Sequence, residues 1–424
     1  MESLDLSRFP DIILPSFLKI KQNLSSKRLE DIPEEVSKRL EPYLHGLEGK
    51  RIAVGVGSRG VSNIARITRS IIDNLIQAGA FPFIIPVMGS HGGSTPEGQA
   101  EVLASYGITE ETMGVAVDSS MEVETIGEYE PGFPVYVAKS ALEADGIVII
   151  PRVKPHTCFR GKVESGICKM LVIGLGKQIG ADSVHMRGFE RFHELIPEIG
   201  CMIAKATKVI FAVATIENGY EETCRIEVIP NEDIINLERE VELLKESKSL
   251  MAKILIPKFD VLVIEKIGKN ISGDGQDPNV TGLYFTDKIK DGPVFQKCAI
   301  FDLTEETHGN GNGVGVADVI TRKLFDKLDF VKMYTNAFTS TVAEPVKIPM
   351  VALTPEDALK IAVKMCNNVN PGEHKILWIK NTLELSEIII SEPLLKDIEN
   401  ISNIQIETKC LEMKFDHGNP ISPW

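Results

Sequence analysis

A lysine crowded by apolar neighbours and three histidines in glycine-rich stretches are the groups of this 424-residue chain best suited to chemistry. Lys169 sits in Cys168-Lys169-Met170-Leu171-Val172-Ile173. Partial desolvation lowers a lysine's pKa and fits it to act as a nucleophile or to carry a covalent link. His156 follows Lys154-Pro155, and His185 lies sixteen residues beyond Lys169. Arg160, Lys162 and Lys169 concentrate positive charge in the same stretch, while Gly161, Gly166, Gly174 and Gly176 let chain and ligand come close. In an otherwise acidic protein that combination suits an anion. The plainer alternative is a basic, flexible loop.

His91 stands in Gly89-Ser90-His91-Gly92-Gly93-Ser94-Thr95-Pro96. The glycines expose it at a strand end, and the helix beginning near Pro96 disfavours imidazolium, which leaves a neutral ring able to accept a proton. Read blandly, it is a surface histidine. Gly55-Val56-Gly57-Ser58-Arg59-Gly60 is a glycine loop between a strand and a helix, where a phosphate can approach the backbone. A dinucleotide site also needs a carboxylate at the end of the next strand. That position reads Ile84-Ile85-Pro86-Val87-Met88-Gly89 and has none. Ser58, Arg59 and Gly60 therefore suit a mononucleotide phosphate or a carboxylate better, or form a plain tight turn.

His193 reads as structural. In the second half, Gly268-Lys269-Asn270 to Asn279 is a polar loop able to close over a substrate, or an ordinary mobile surface loop. Asp274 and Asp277 do not follow the calcium-loop spacing. The turn His308-Gly309-Asn310-Gly311 lacks the Gly-Lys-Ser/Thr of a phosphate-binding P-loop, and no G-x-S-x-G elbow is present.

These loops need a scaffold, and the intervening sequence describes one. Residues 51–57 read as a buried strand, 62–78 as an amphipathic helix ended by Gly79, and 83–87 as the next strand. A helix over 96–106 follows the hydroxyl cap and proline of Thr95-Pro96. Strands are expected at 146–150 and 209–214, and a charged helix at 232–250. Alternation restarts with a strand at 259–265, then strands at 349–354 and 376–380 and a helix at 355–366. This is an α/β chain of two domains, each a mainly parallel sheet flanked by helices, with ligands at the carboxyl ends of the strands and the active site in the cleft between domains. The expected domains are 1–252, which the tail 400–424 can rejoin, and 253–399.

The length calls for two cores, since a single core stops growing near ~250–300 residues. A formal charge of -14 opposes binding to nucleic acid or an anionic membrane. No run reaches a membrane span, and Met1-Glu2-Ser3-Leu4-Asp5 has neither the basic nor the apolar part of a signal peptide. Seven scattered cysteines without a C-x-x-C pair point to a reducing compartment, the cytoplasm.

Taken together the loops resemble the nickel-pincer-dependent lactate racemase family. The resemblance rests on Ser90-His91-Gly92-Gly93, on Lys154-Pro155-His156, on Lys169 before its apolar-glycine run, and on the lysine-to-His185 spacing. It implies an isomerase that racemises or epimerises a small 2-hydroxy acid by proton-coupled hydride transfer. The implied cofactor is nickel held by pyridinium-3,5-bisthiocarboxylic acid mononucleotide, covalently attached at Lys169, with His185 as the protein ligand to the metal. His91 and His156 are then the acid/base pair; Ser58, Arg59 and Gly60 hold the cofactor; Arg59, Lys269 and Gln276 meet the substrate. Lys269 and Gln276 occur in the reverse of the family's order, which points to a 2-hydroxy acid larger or more acidic than lactate. The resemblance also implies cofactor-synthesis proteins as partners, and a homo-oligomer is compatible with it. The rival readings are an NAD(P)-dependent 2-hydroxy acid dehydrogenase, from the Gly55–Gly60 loop, and a non-catalytic binding protein of the same fold.

Overall fold

The computed structural model describes residues 6–9, 12–58, 60–286 and 289–421. Arg59 and the opening Met1–Asp5 lie outside the described residues. The chain divides into one unit of Ser26–Met251 and another of Met1–Ser25 with Ala252–Trp424. This corrects the expected division at both ends of the chain. Strand β1 (Phe17–Gln22) pairs antiparallel with the late strand Glu387–Ser391. Phe17 and Leu411 also exchange two backbone hydrogen bonds of 2.8 Å. The opening segment and the tail after residue 400 thus hold one another in the second unit.

In the unit Ser26–Met251, β2 (Arg51–Val56), β3 (Phe81–Pro86), the hairpin β4 (Val123–Glu130) and β5 (Phe133–Ala138), β6 (Gly146–Ile150), β7 (Val209–Glu217) and β8 (Thr223–Pro230) follow in order. The main sheet runs β3-β2-β6-β7-β8, and every pair but β7–β8 is parallel. The interiors of β2, β3, β6 and β7 are apolar runs because both faces are covered. Ala53, Ile85, Ile147, Ile149 and Ala212 pack into one core, while Ile52, Val54, Ile84, Val148 and Val213 pack into the other. Helix Ile64–Gln77 buries Ile67, Ile71, Ile72 and Leu75 on the second face. It ends before Gly79, whose φ of +79° suits glycine. The order reverses at β2, with β3 on one side and β6 on the other. Such a switch point opens a crevice at the carboxyl ends of the strands.

The second unit has β9 (Val261–Ile267), β10 (Lys297–Leu303), β11 (Val319–Thr321), β12 (Met350–Ala352), β13 (Ile376–Ile379), β14 (Glu387–Ser391), β15 (Ile404–Ile406), and the hairpin β16 (Lys414–Asp416) with β17 (Asn419–Ile421). Its sheet runs β12-β11-β10-β9-β13-β14-β1-β15, parallel from β12 to β13 and antiparallel beyond. Phe17 and Phe301 meet the Trp378 ring edge-on at 6.4 and 5.2 Å in its core. The fold class is mixed α/β, with mainly parallel sheets flanked by helices.

The helix expected over 232–250 is two helices, Asn231–Asn236 and Glu238–Leu250, separated by Leu237 at φ +67°. Asn236 restarts the second by accepting from Glu238 N at 3.0 Å. Among the described residues no helix is long and apolar enough to cross a membrane.

Candidate active site

The carboxyl ends of β2, β3 and β6 each release a loop carrying one of the sequence-derived residues. After β2 come Gly57 and Ser58; after β3, the turn to His91; after β6, the segment to His156 and Lys169. Ser58 Oγ and His91 Nδ1 form a short hydrogen bond. The Tyr106 hydroxyl donates to the Ser58 carbonyl at 2.5 Å, which fixes that loop from behind. Gln99, fully buried, donates from Nε2 to the carbonyls of Gly89 (2.8 Å) and His91 (3.2 Å). The first two loops also rest on the turn Met170–Gly174. A Cβ on Gly57 would lie 3.7 Å from Met170 Cε, and one on Gly89 would lie 3.1 Å from the Ile173 carbonyl. Ser58, His91 and the segment after Lys169 therefore share one place.

His156 is buried, and its backbone N–H donates to Glu164 Oε2 at 2.7 Å. Its Nδ1 accepts from Cys158 N at 3.0 Å. A neutral ring held in this way carries its proton on Nε2. The Glu164 side chain is fully enclosed and is neutralised by Lys248 at 2.6 Å and Arg160 at 3.3 Å. Arg160 also donates to the His156 carbonyl at 2.6 Å. Its charge, expected from sequence to meet a ligand, is thus compensated within the loop that holds His156.

His185 closes the helix Lys177–His185. Its Nδ1 lies 2.6 Å from the Ala181 carbonyl, so Nδ1 carries the hydrogen and Nε2 keeps its lone pair. Burial pushes the imidazole below its ordinary pKa, and the charge of Lys169 acts in the same direction against the Ala181 bond. Phe189 and Phe192 stand edge-on to the His185 ring at 5.5 and 5.2 Å. Phe189 is also 6.4 Å from the His156 ring, and Phe159 is 4.5 Å from it. One aromatic wall thus joins His156 to His185. Lys169, half-buried, lies where the helix that begins at Ile167 runs on into the wider turn Met170–Gly174. Glu240, also enclosed, receives Cys168 N at 3.3 and 3.2 Å and so caps that helix. Burial pushes Glu240 up to about 7. Gly166 is required here, because a Cβ would stand 2.3 Å from Glu240 Oε1.

The remaining expected residues divide. Gly60 is exposed and has open space around it. Gly55 is explained by packing, since a Cβ there would meet Val87 Cγ2 at 2.7 Å. Lys269 and Gln276 belong to the second unit. Lys269 Nζ donates to the Gly273 carbonyl at 2.6 Å. Gln276 is fully buried, donates to the Leu283 carbonyl at 3.2 Å and accepts from Thr281 Oγ1 at 2.5 Å. Its amide thus ties its own loop together. His193 is exposed, with Nδ1 2.8 Å from the Glu190 carbonyl, in keeping with a structural role.

Sequence reasoning missed four supports of this site: Gln99, Glu164, Lys177 and Glu240. Only Lys177 carried a readable signal, the same apolar and glycine crowding that marks Lys169. It also missed a pair at the ends of β6 and β7. There Arg152 forms a short ion pair with Glu217 and lies 3.4 Å from Glu221, and Glu217 accepts from Ser62 N at 2.7 Å. Burial pushes Glu221 up to about 7 although Arg152 opposes it.

Neither a protein-family model nor a curated protein matches this chain. Among solved structures it is similar to the lactate racemase apoprotein from Thermoanaerobacterium thermosaccharolyticum, with 18% identity and a TM-score of 0.51. The match covers 87% of this chain and 99% of that one. At this identity the likeness is one of fold, and it embraces both units.

Proposed function

We propose that this chain is a lactate racemase-like isomerase that inverts the hydroxyl-bearing carbon of a small 2-hydroxy acid. The observation that supports this most is the grouping of His156, His185 and Lys169 beside the Ser58–His91 pair at one sheet end. Each of these residues was expected from sequence for that chemistry.

The residues suit the nickel-pyridinium mononucleotide implied by the resemblance. Lys169, within the helical run that begins at Ile167, would supply the amine for covalent attachment. His185 offers a neutral imidazole with Nε2 available, oriented by its second nitrogen as metal-binding histidines usually are. Among the described residues no group of three or more His, Cys, Asp or Glu is placed to hold a metal. His185 would then be the protein's ligand to nickel, and the cofactor would bring the metal's softer donors. When bound, the group supplies an electrophilic ring that takes up a hydride and gives it back.

The protein's own residues then handle the proton. Ser58 engages His91 Nδ1, which leaves Nε2 as the atom to exchange the substrate hydroxyl proton. His156 starts from a different state. With Cys158 N–H on Nδ1, its neutral ring donates a hydrogen bond from Nε2 to the substrate oxygen. It accepts a proton at Nε2 only as the other tautomer, with the ring proton moved from Nε2 to Nδ1 and the bond from Cys158 N–H given up. The Phe159, Phe189 and Phe192 wall excludes water from that side and strengthens both contacts.

The test uses the cofactor-loaded protein and a 2-hydroxy acid deuterated at C2. Inversion with deuterium retained at C2 supports hydride transfer. Inversion with washout into solvent means proton abstraction from carbon and rejects the mechanism. Net production of a 2-keto acid with added NAD supports the dehydrogenase instead.

A further inference from the structure

Lys177 is a buried lysine with no part in the chemistry above. It is 1% exposed and sits at φ +55°, in the left-handed region that lysine rarely adopts. Strain of that kind persists only where the surroundings hold it. The surroundings here are specific. Nζ donates to the Pro86 carbonyl at 2.8 Å, at the last residue of β3, and to Gln99 Oε1 at 3.2 Å. Gln99 in turn holds the Gly89 and His91 carbonyls through its amide nitrogen. Two enclosed side chains thus bridge the start of the His91 loop, its middle, and helix Pro96–Ser105 behind it. Lys177 also opens the helix that His185 closes. An aliphatic residue would fill this space without the cost of an enclosed amine. Burial pushes Lys177 down to about 8, with only the charge of Asp118 opposing.

We propose that Lys177 is a positioning residue: acting through Gln99, it sets the His91 loop against the helix that ends in His185. The functional meaning of this link rests on the reading of His91 as a proton-transfer group; the mechanical link itself does not.

Lys177→Met keeps the length and removes the donors. Gln99→Leu removes both arms of the bridge. Gln99→Glu keeps an acceptor for Lys177 but cannot donate to the Gly89 and His91 carbonyls. The first readout is the histidine side-chain nitrogen NMR spectrum of the cofactor-free protein, with His91 assigned by His91→Gln. In all three variants the His91 signals and titration midpoint are expected to move, while those of exposed His193 stay in place. In the loaded enzyme, kcat should fall ~10–100-fold with KM little changed, the range produced by misplacing a catalytic group by about 1 Å.

A His91 spectrum identical to wild type in folded Lys177→Met and Gln99→Leu overturns the proposal. So does a lower melting temperature with spectrum and kcat unchanged, the mark of a merely structural lysine. If Lys177→Met does not fold, the two Gln99 variants decide between the same outcomes. Should the His91 signals move while His91→Ala still racemises, the link stands and the role assigned to His91 fails.

Discussion

Replacing Glu240 by glutamine isolates one buried carboxyl and the helix end it controls. Glu240 is enclosed, caps the helix that begins at Ile167, and is pushed from 4.5 up to about 7, chiefly by burial. In the unfolded chain the carboxyl ionises near its ordinary value, whereas in the folded chain it keeps its proton to about 7. Between those values the folded state binds more protons, so this group's contribution to stability falls as pH rises and is lost above about 7. At about 1.4 kcal/mol per pH unit, the effect amounts to roughly 3 kcal/mol. In a unit of this size that corresponds to a melting shift of about 5–10 °C. Calorimetry of wild type and Glu240→Gln at pH 5 and pH 8 gives the comparison. The wild type should lose more stability than the variant between the two, by about that amount. Curves that shift in parallel between pH 5 and pH 8 would falsify the assignment of a raised pKa to Glu240.

The other predictions concern the site itself. Ser58→Ala releases His91 Nδ1 and should lower racemisation by ~10-fold or more while shifting the pH–rate profile, measured as kcat across pH; an unchanged profile means that Ser58 does not tune the ring. Glu164→Ala removes the enclosed carboxylate that receives the His156 N–H and pairs with the partly exposed Lys248 and Arg160, so unfolding free energy should drop by ~1–3 kcal/mol in denaturant titration. A loss under about 1 kcal/mol would mean that water relieves the site. His185→Ala should yield protein that keeps the Lys169 adduct by mass spectrometry but has lost nickel by elemental analysis. Nickel retained at full stoichiometry excludes His185 as its ligand.

The sheet that carries the site was readable because parallel strands covered on both faces are continuous apolar runs. Arg51–Val56 and Gly146–Ile150 are of that kind, and helix Ile64–Gln77 shows its apolar stripe at helical spacing. His91, His156, Lys169 and His185 stood out as candidates because reactive types lie among glycines after the strands. What escaped depends on contacts between distant residues. β1 looks local, yet it pairs with Glu387–Ser391, and no nearby residue announces that partner. Gln99 and Lys177 are far apart in sequence and acquire meaning only when their side chains meet. The bond between Gln276 and Thr281, five residues apart, likewise becomes visible only once the loop is folded. The break at Leu237 went unseen because its residues favour a continuous helix, and the Asn236 cap that interrupts it is a matter of side-chain geometry.

Attachment at Lys169 is the central claim, and intact-protein mass spectrometry with nickel analysis tests it most directly. The protein is taken from its own host, or from one co-expressing the cofactor-synthesis proteins. The expected result is an adduct of a few hundred daltons that maps to Lys169, travels with nickel and disappears in Lys169→Ala. An unmodified, nickel-free chain from cells in which that synthesis is demonstrably active would contradict it.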